Sequence, residues 1–321
     1  MKIFKLFSLM IASLAILESC SSSEEPLENC LTQEEMIPVS IGFSGEVLDI
    51  TETPLSRGEN VKDWYAFQVY SAPLDGSNDY TYYAYGFFDN KEDMVINLKE
   101  GYKYKFDVCM VVDGENKVYS FSLTELGWKQ PDNTFYISPT EHVRYMYEGY
   151  LYLKNPFNTF NRPNVDRFFG RVVDFIPKKN QSVNINMKRT AFCAKFKAKK
   201  FTEGKLEISI EGAPLLTLDA AQGTEIEDYF SFNNLEAAYT NFGNYSEEIP
   251  VNIVWVKPDN RRVPIANEVV NFKRNKVIQI NFEIKEPTTE NGFVLDSSEA
   301  IEAGDDVTIG GDGDNVDVDP H

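Results

Sequence analysis

The chain reads as an all-β protein, two β-sandwich domains in tandem. Three observations predict this. Short runs alternate apolar and polar residues with period two along most of the sequence, the mark of strands with one buried face. Turn-forming residues separate the runs, as in sandwiches. Helical periodicity is scarce, and only Glu225 to Tyr239 has room for one or two helical turns. Apolar residues make up 42% of the chain, enough for real cores.

The strands follow in order. Val39, Ile41 and Phe43 alternate with Ser40 and Gly42, and Tyr65, Phe67 and Val69 form a second set. Tyr102, Tyr104, Phe106, Val108 and Met110 share one face, with Lys103, Lys105 and Asp107 on the other. Asp113-Gly114 then predicts a turn, because glycine accepts positive φ cheaply, and Tyr119, Phe121 and Leu123 return as a hairpin. Later, Phe192, Ala194, Phe196 and Ala198 alternate with Cys193, Lys195 and Lys197. Leu206, Ile208 and Ile210 form another set. Val251, Ile253 and Trp255 precede a Pro258-Asp259-Asn260 turn, and Ile278, Ile280, Phe282 and Ile284 close the series.

Turn-rich Lys154-Asn155-Pro156 and Asn161-Arg162-Pro163-Asn164, with the polar stretch Lys178-Lys179-Asn180-Gln181, put the domain boundary near residue 180. The expected organisation is one sandwich over residues 37–180 and a second over 181–286. An acidic tail follows over 287–321, within which Asp306-Val307-Thr308-Ile309 could be a terminal strand.

The formal charge is −19 and uneven: residues 286–321 hold eleven Asp or Glu and no Lys or Arg, so the rest of the chain carries −8. An acidic body argues against nucleic acid as a partner and against electrostatic binding to anionic lipid. Asp312-Gly313-Asp314-Asn315-Val316-Asp317-Val318-Asp319 offers hard oxygen ligands. However, it lacks EF-hand spacing and the closing glutamate, so a solvated acidic run is favoured over a calcium site.

Catalytic chemistry has little to work with. The histidines are His142 and His321 alone, so a nucleophile–base site would depend on His142, and no G-x-S-x-G elbow exists. No His/Cys cluster suits zinc, and no glycine-rich loop cradles phosphate. The expectation is a protein that is not an enzyme, without metal or cofactor. Cys109 and Cys193 fall in strand patterns and read as packed thiols, a bridge between them being the other reading. Two tyrosine clusters stand out, Tyr80, Tyr82, Tyr83 and Tyr85, then Tyr145, Tyr147, Tyr150 and Tyr152. Alternate members packing in a sheet is the plainer reading, and a glycan-stacking platform the alternative.

At the N-terminus, Lys2 and Lys5 precede a twelve-residue apolar run, Leu6 to Leu17, too short to span a bilayer. Leu17-Glu18-Ser19-Cys20 resembles the lipobox of lipoprotein signal peptidase, with Glu18 departing from the commonest pattern. The expectation is a signal peptide over residues 1–19 and diacylglycerol on the Cys20 thiol. Further acylation, by palmitate for example, would give several chains and stable anchoring in the outer membrane of a Gram-negative bacterium. Residues 20–36 read as a flexible tether. Its Ser21-Ser22-Ser23-Glu24-Glu25 resembles the surface-export signal of Bacteroidetes lipoproteins.

Ile96-Asn97-Leu98-Lys99-Glu100-Gly101-Tyr102-Lys103-Tyr104 resembles a fimbrillin-like pattern of apolar strand, glycine turn and Tyr-rich strand. Asp166-Arg167-Phe168-Phe169-Gly170 and Val183-Asn184-Ile185-Asn186-Met187-Lys188-Arg189-Thr190-Ala191 resemble its later segment. Phe272-Lys273-Arg274-Asn275-Lys276-Val277-Ile278-Gln279-Ile280 resembles its closing hairpin. In this order they resemble the Bacteroidetes fimbrillin-like lipoproteins, fimbrial subunits and cell-adhesion proteins, diffusely over residues 37–310.

That resemblance implies transthyretin-like, Greek-key sandwiches, no catalysis, and assembly into surface fimbriae by strand exchange. An arginine-specific protease would cut after Arg57, before Gly58, and release a strand containing Val39, Ile41 and Phe43. The groove would accept a strand from another fimbrial subunit, itself or a paralogue, by β-augmentation. Without the cut, the lipid is kept and the protein is a basal anchor or a surface lipoprotein. The adhesive partner would be a host or bacterial surface glycan or protein. A glycan-binding outer-membrane lipoprotein is the alternative function.

Overall fold

The computed structural model describes residues 35–45, 62–76, 78–92, 94–118, 131–140, 160–241 and 245–284, and the backbone of 306–308. These residues are nearly all β, in two lobes.

In the first lobe, eight strands make one sheet: β1 (Met36–Gly45), β2 (Trp64–Pro73), β3 (Thr81–Phe88), β4 (Val95–Lys99), β5 (Tyr102–Val111), β6 (Thr134–Ile137), β7 (Arg167–Phe175) and β8 (Ser182–Arg189). Their order is β4-β1-β8-β7-β5-β2-β3-β6. A helical turn, α1 (Gly114–Lys117), follows β5. The sheet rolls over, so that β1, β4 and β8 face β2, β3 and β5 across one interior. Val39, Ile96, Leu98, Ile185, Tyr65, Phe67, Phe106 and Val108 fill it. Tight chain reversals do not always make hairpins here. Gly101, at φ 84°, turns β4 into β5, yet these strands are not sheet neighbours. Instead the Tyr104 hydroxyl receives the Lys99 N–H (2.8 Å) and donates to the Lys99 carbonyl (3.1 Å) across the arch.

The second lobe is a sandwich of two four-stranded sheets. Its strands are β9 (Ala191–Lys199), β10 (Lys205–Ile210), β11 (Leu216–Asp219), β12 (Glu225–Ser231), β13 (Ser246–Val256), β14 (Arg262–Lys273), β15 (Val277–Glu283) and β16 (Asp306–Thr308). The orders are β11-β10-β13-β14 and β12-β9-β15-β16. Phe192, Phe196, Ile278 and Ile280 from one sheet meet Leu206, Ile253, Trp255 and Phe272 from the other, and the Phe192 and Phe272 rings stack at 4.3 Å. The expected closing hairpin is again an arch: Arg274-Asn275 joins β14 in one sheet to β15 in the other. The terminal strand is present at Asp306–Thr308, parallel to β15.

The helix and boundary readings sharpen, and the packed-thiol reading of the cysteines holds. The helical stretch is confined to α2 (Leu235–Thr240), capped by the Asn234 side chain accepting from the Ala237 N–H, while Glu225–Ser231 is β12. Its residues alternate only weakly, because β12 is an edge strand paired on one side to β9. Cys109 and Cys193 are free and buried in different sheets, so they are packed thiols and not a bridge. The chain changes sheets at Thr190, with β8 still in the first lobe, and Asn180, at φ 59°, lies in the turn between β7 and β8.

Candidate functional site

The residues expected to form an exchangeable strand lie on β1, and β1 is an inner strand. Met36 to Ser40 pair antiparallel with β4, Lys99 to Val95, and Ser40 to Gly45 pair parallel with β8, Ser182 to Met187. The Ile41 N–H donates to the Met94 carbonyl at 2.9 Å, which carries the contact past the end of β4. The strand is thus hydrogen-bonded on both edges.

Alternation gives β1 one wet and one dry face. Met36, Pro38 and Ser40 are exposed; Ile37, Val39 and Ile41 are buried. Phe43 is half-buried and stacks on Tyr65 (centroids 5.3 Å apart, planes at 22°) and tilts against Phe67 at 6.2 Å. Each such side chain contributes roughly 1.5–3 kcal/mol by leaving water. At the N-terminal end of β1 the Glu35 carbonyl accepts from the Glu100 N–H (3.0 Å) and the Glu35 carboxylate pairs with Lys179. At the other end the Asn184 side chain donates to the Ser44 hydroxyl at 3.1 Å. Withdrawing β1 would leave unpaired backbone groups along Val95–Lys99 of β4 and along Ser182–Met187 of β8, staggered beside an apolar slot. Such edges template another strand. Cys20, Arg57, Gly58, His142 and the tyrosines at 145–152 lie outside the described residues.

Tyr80 and the tyrosines of β3 are engaged within the lobe. The Tyr83 ring is buried edge-on to Tyr104 at 5.1 Å and its hydroxyl donates to the Asn97 carbonyl. Tyr82 meets Tyr70 at 5.2 Å, Tyr85 stacks on Tyr136 at 5.4 Å, and the Tyr80 hydroxyl donates to Asp174 at 2.9 Å.

Sequence reasoning missed the junction that joins the lobes. Arg171 on β7 donates through Nε and Nη2 to the two oxygens of Asp107 (2.6 and 2.9 Å) and through Nη1 to Glu236 on α2 (2.7 Å). Asp107 is nearly buried, and the Arg171 pKa is raised, first by its hydrogen bond to Asp107 and then by the nearby negative charges, against burial. Tyr239 packs on Phe169, and Lys188 lies over its ring at 4.6 Å. At the crossing, Arg189 holds Asp166 and Asn275, the Arg274 guanidinium donates to the Arg189 carbonyl, and the Thr190 N–H donates to the Arg167 carbonyl. The Lys188-Arg189-Thr190 motif is therefore a clasp between lobes. The only visible signal was a basic pair at the end of an alternating strand.

No protein-family model matches the chain, and no curated protein does. Among solved structures it is similar to a candidate adhesin from Bacteroides ovatus, at 8% identity, covering 86% of this chain and 100% of that one, with a TM-score of 0.38. It is also similar to the tip fimbrial protein Mfa3 from Porphyromonas gingivalis with C-terminal truncation (11% identity, 79% and 95% coverage, TM-score 0.31). A third is the fimbrial anchor protein Mfa2 from Porphyromonas gingivalis (9% identity, 73% and 82% coverage, TM-score 0.29). These superpositions are loose.

Proposed function

We propose that this chain is a surface lipoprotein that serves as a fimbrial subunit or fimbria-associated adhesin and assembles by exchange of β1. The observation that carries the reading is the placement of β1: one apolar face inside the first lobe, both edges hydrogen-bonded, and Arg57-Gly58 in the segment that follows it. A cut there would leave β1 held by non-covalent contacts alone. Loss of the strand would then free the β4–β8 slot for a strand from another fimbrial subunit. Before the cut, lipid on Cys20 would hold the protein at the outer membrane; afterwards it would belong to the fimbrium. The reading calls for no catalysis and no cofactor. The glycan-binding alternative has less support, because Tyr82, Tyr83 and Tyr85 of β3 are engaged by Tyr70, Tyr104 and Tyr136 of other strands, and Tyr80 by Asp174.

Ser40 and Ser182 are direct partners in the parallel β1–β8 ladder, and both are exposed. Ser40→Cys with Ser182→Cys should form a disulfide that locks β1 in place. Under the exchange reading, protease-treated oxidised protein stays monomeric and reduction restores oligomer ladders. Equal assembly of the oxidised and reduced forms would refute it.

A further inference from the structure

Arg167 opens β7, and its side chain is wholly buried. Among the described residues, none of its three guanidinium nitrogens has a hydrogen-bond partner. Its chain neighbour Asp166, and Asp107 farther along the β5–β7 ladder, are committed elsewhere. Asp166 accepts from Arg189 through both oxygens (2.9 and 3.2 Å), and Asp107 accepts from Arg171 through both (2.6 and 2.9 Å). Arg167 pairs in register with Val111, which pairs on its other side with Trp64. That face of the sheet, opposite the first lobe's main core, carries an apolar cluster of Trp64, Ala66, Cys109, Val111, Val118, Val165 and Leu235.

An isolated buried charge is costly unless something compensates it, and an arginine does not discharge by losing its proton. A buried donor group without a partner points to an ion or water that the protein holds. Cys109 is the ionisable group that feels Arg167. Burial pushes its thiol up to about 11, with the Arg167 charge opposing, so at neutral pH it is an S–H donor and not a counter-charge. The nearby cations Arg171 and Arg189 are already neutralised by their carboxylates, so a single negative charge balances the site.

We propose that the interior around Arg167, where β7 meets the second lobe, binds one small monovalent anion of halide size. The guanidinium fork supplies the charge and most of the donors, the Cys109 S–H adds a weak one, and the apolar cluster excludes larger or more highly charged anions. The anion would tie the lobes together by completing the junction beneath Leu235.

The test uses the full chain with chloride as the probe. Sodium chloride is exchanged for sodium gluconate at constant ionic strength, gluconate being too large to enter. The Tm should rise saturably with chloride by a few degrees, as binding to the native state alone requires. Arg167→Met should remove that dependence and be no less stable than the wild type in gluconate, because the uncompensated charge is gone. A wild type indifferent to chloride, or an Arg167→Met protein that responds equally, overturns the proposal. Should the variant not fold, wild-type crystals grown in bromide decide: an anomalous peak in contact with the Arg167 guanidinium supports the site, and its absence overturns it.

Discussion

The Phe43 ring stacks on Tyr65 at 5.3 Å although their strands, β1 and β2, are separated in the sheet by β8, β7 and β5. The contact crosses the interior, so β1 is both a rung of the sheet and a wall of the opposite side. Phe43→Ala should therefore destabilise the first lobe by about 2–3 kcal/mol, below the ~3–5 for a fully buried phenylalanine because the ring is half-buried. Ile37→Ala, fully inside, should cost about as much or more, whereas Pro38→Ser on the wet face should cost little. Denaturant unfolding checks the ranking; equal effects at Ile37 and Pro38 would contradict the burial of one face of β1.

The lobe junction rests on a nearly buried ion pair. Asp107→Asn should cost about 1–3 kcal/mol: it leaves Arg171 half-satisfied, with Glu236 still in reach. Glu236→Gln alone, at an exposed carboxylate, should cost under about 1 kcal/mol. The double variant should be non-additive, which a double-mutant cycle reads directly.

Much of this was legible in the sequence and some was not. Period-two alternation marked one face of β1, β2, β5, β9, β10 and β15, although β2, β5 and β9 bury much of the other face as well. Sheet membership was less visible. Gly101 and Asn275 look like hairpin turns, yet each joins strands lying across a core, since a positive-φ residue reverses the chain without choosing its neighbour. The Asp113-Gly114 turn likewise leads into α1, and β5 takes β2 and β7 as partners; the expected return strand at Tyr119 to Leu123 lies outside the described residues. Gly114 is required there by crowding, since a Cβ would sit 2.6 Å from the Trp64 side chain. Among candidate site residues, Val39, Ile41 and Phe43 fall on the β1 strand, whereas Arg171 and Arg167 carried no sign of burial, as arginines in strands usually face water, and Arg189 showed only as half of a basic pair.

Acid should loosen the edge of the first lobe. Burial raises the Asp89 pKa, but hydrogen bonds from Lys62 and Asn133 outweigh it and hold it below the ordinary carboxylate value. A depressed carboxylate contributes stability above its unfolded pKa, near 3.9, that is lost as pH falls through its folded value. Asp89→Asn should flatten the fall in stability between neutral pH and that acid range, as followed by thermal unfolding at stepped pH.

Alkali should act through the buried thiols. Burial pushes Cys109 up to about 11 and Cys193 up to about 12. Above about pH 8.5 the unfolded thiols ionise while the native ones do not, so stability falls as pH rises toward those folded values. Neither cysteine should react with iodoacetamide at pH 8 until denaturant is added. Labelling of the native protein at either site would contradict their packing.

The most direct test of strand exchange is the mature N-terminus of the protein in sheared surface filaments, read by sequencing or intact mass. The account predicts a chain that begins at Gly58, without β1 and without lipid. A filament protein that begins at lipidated Cys20 and retains Val39, Ile41 and Phe43 would contradict it.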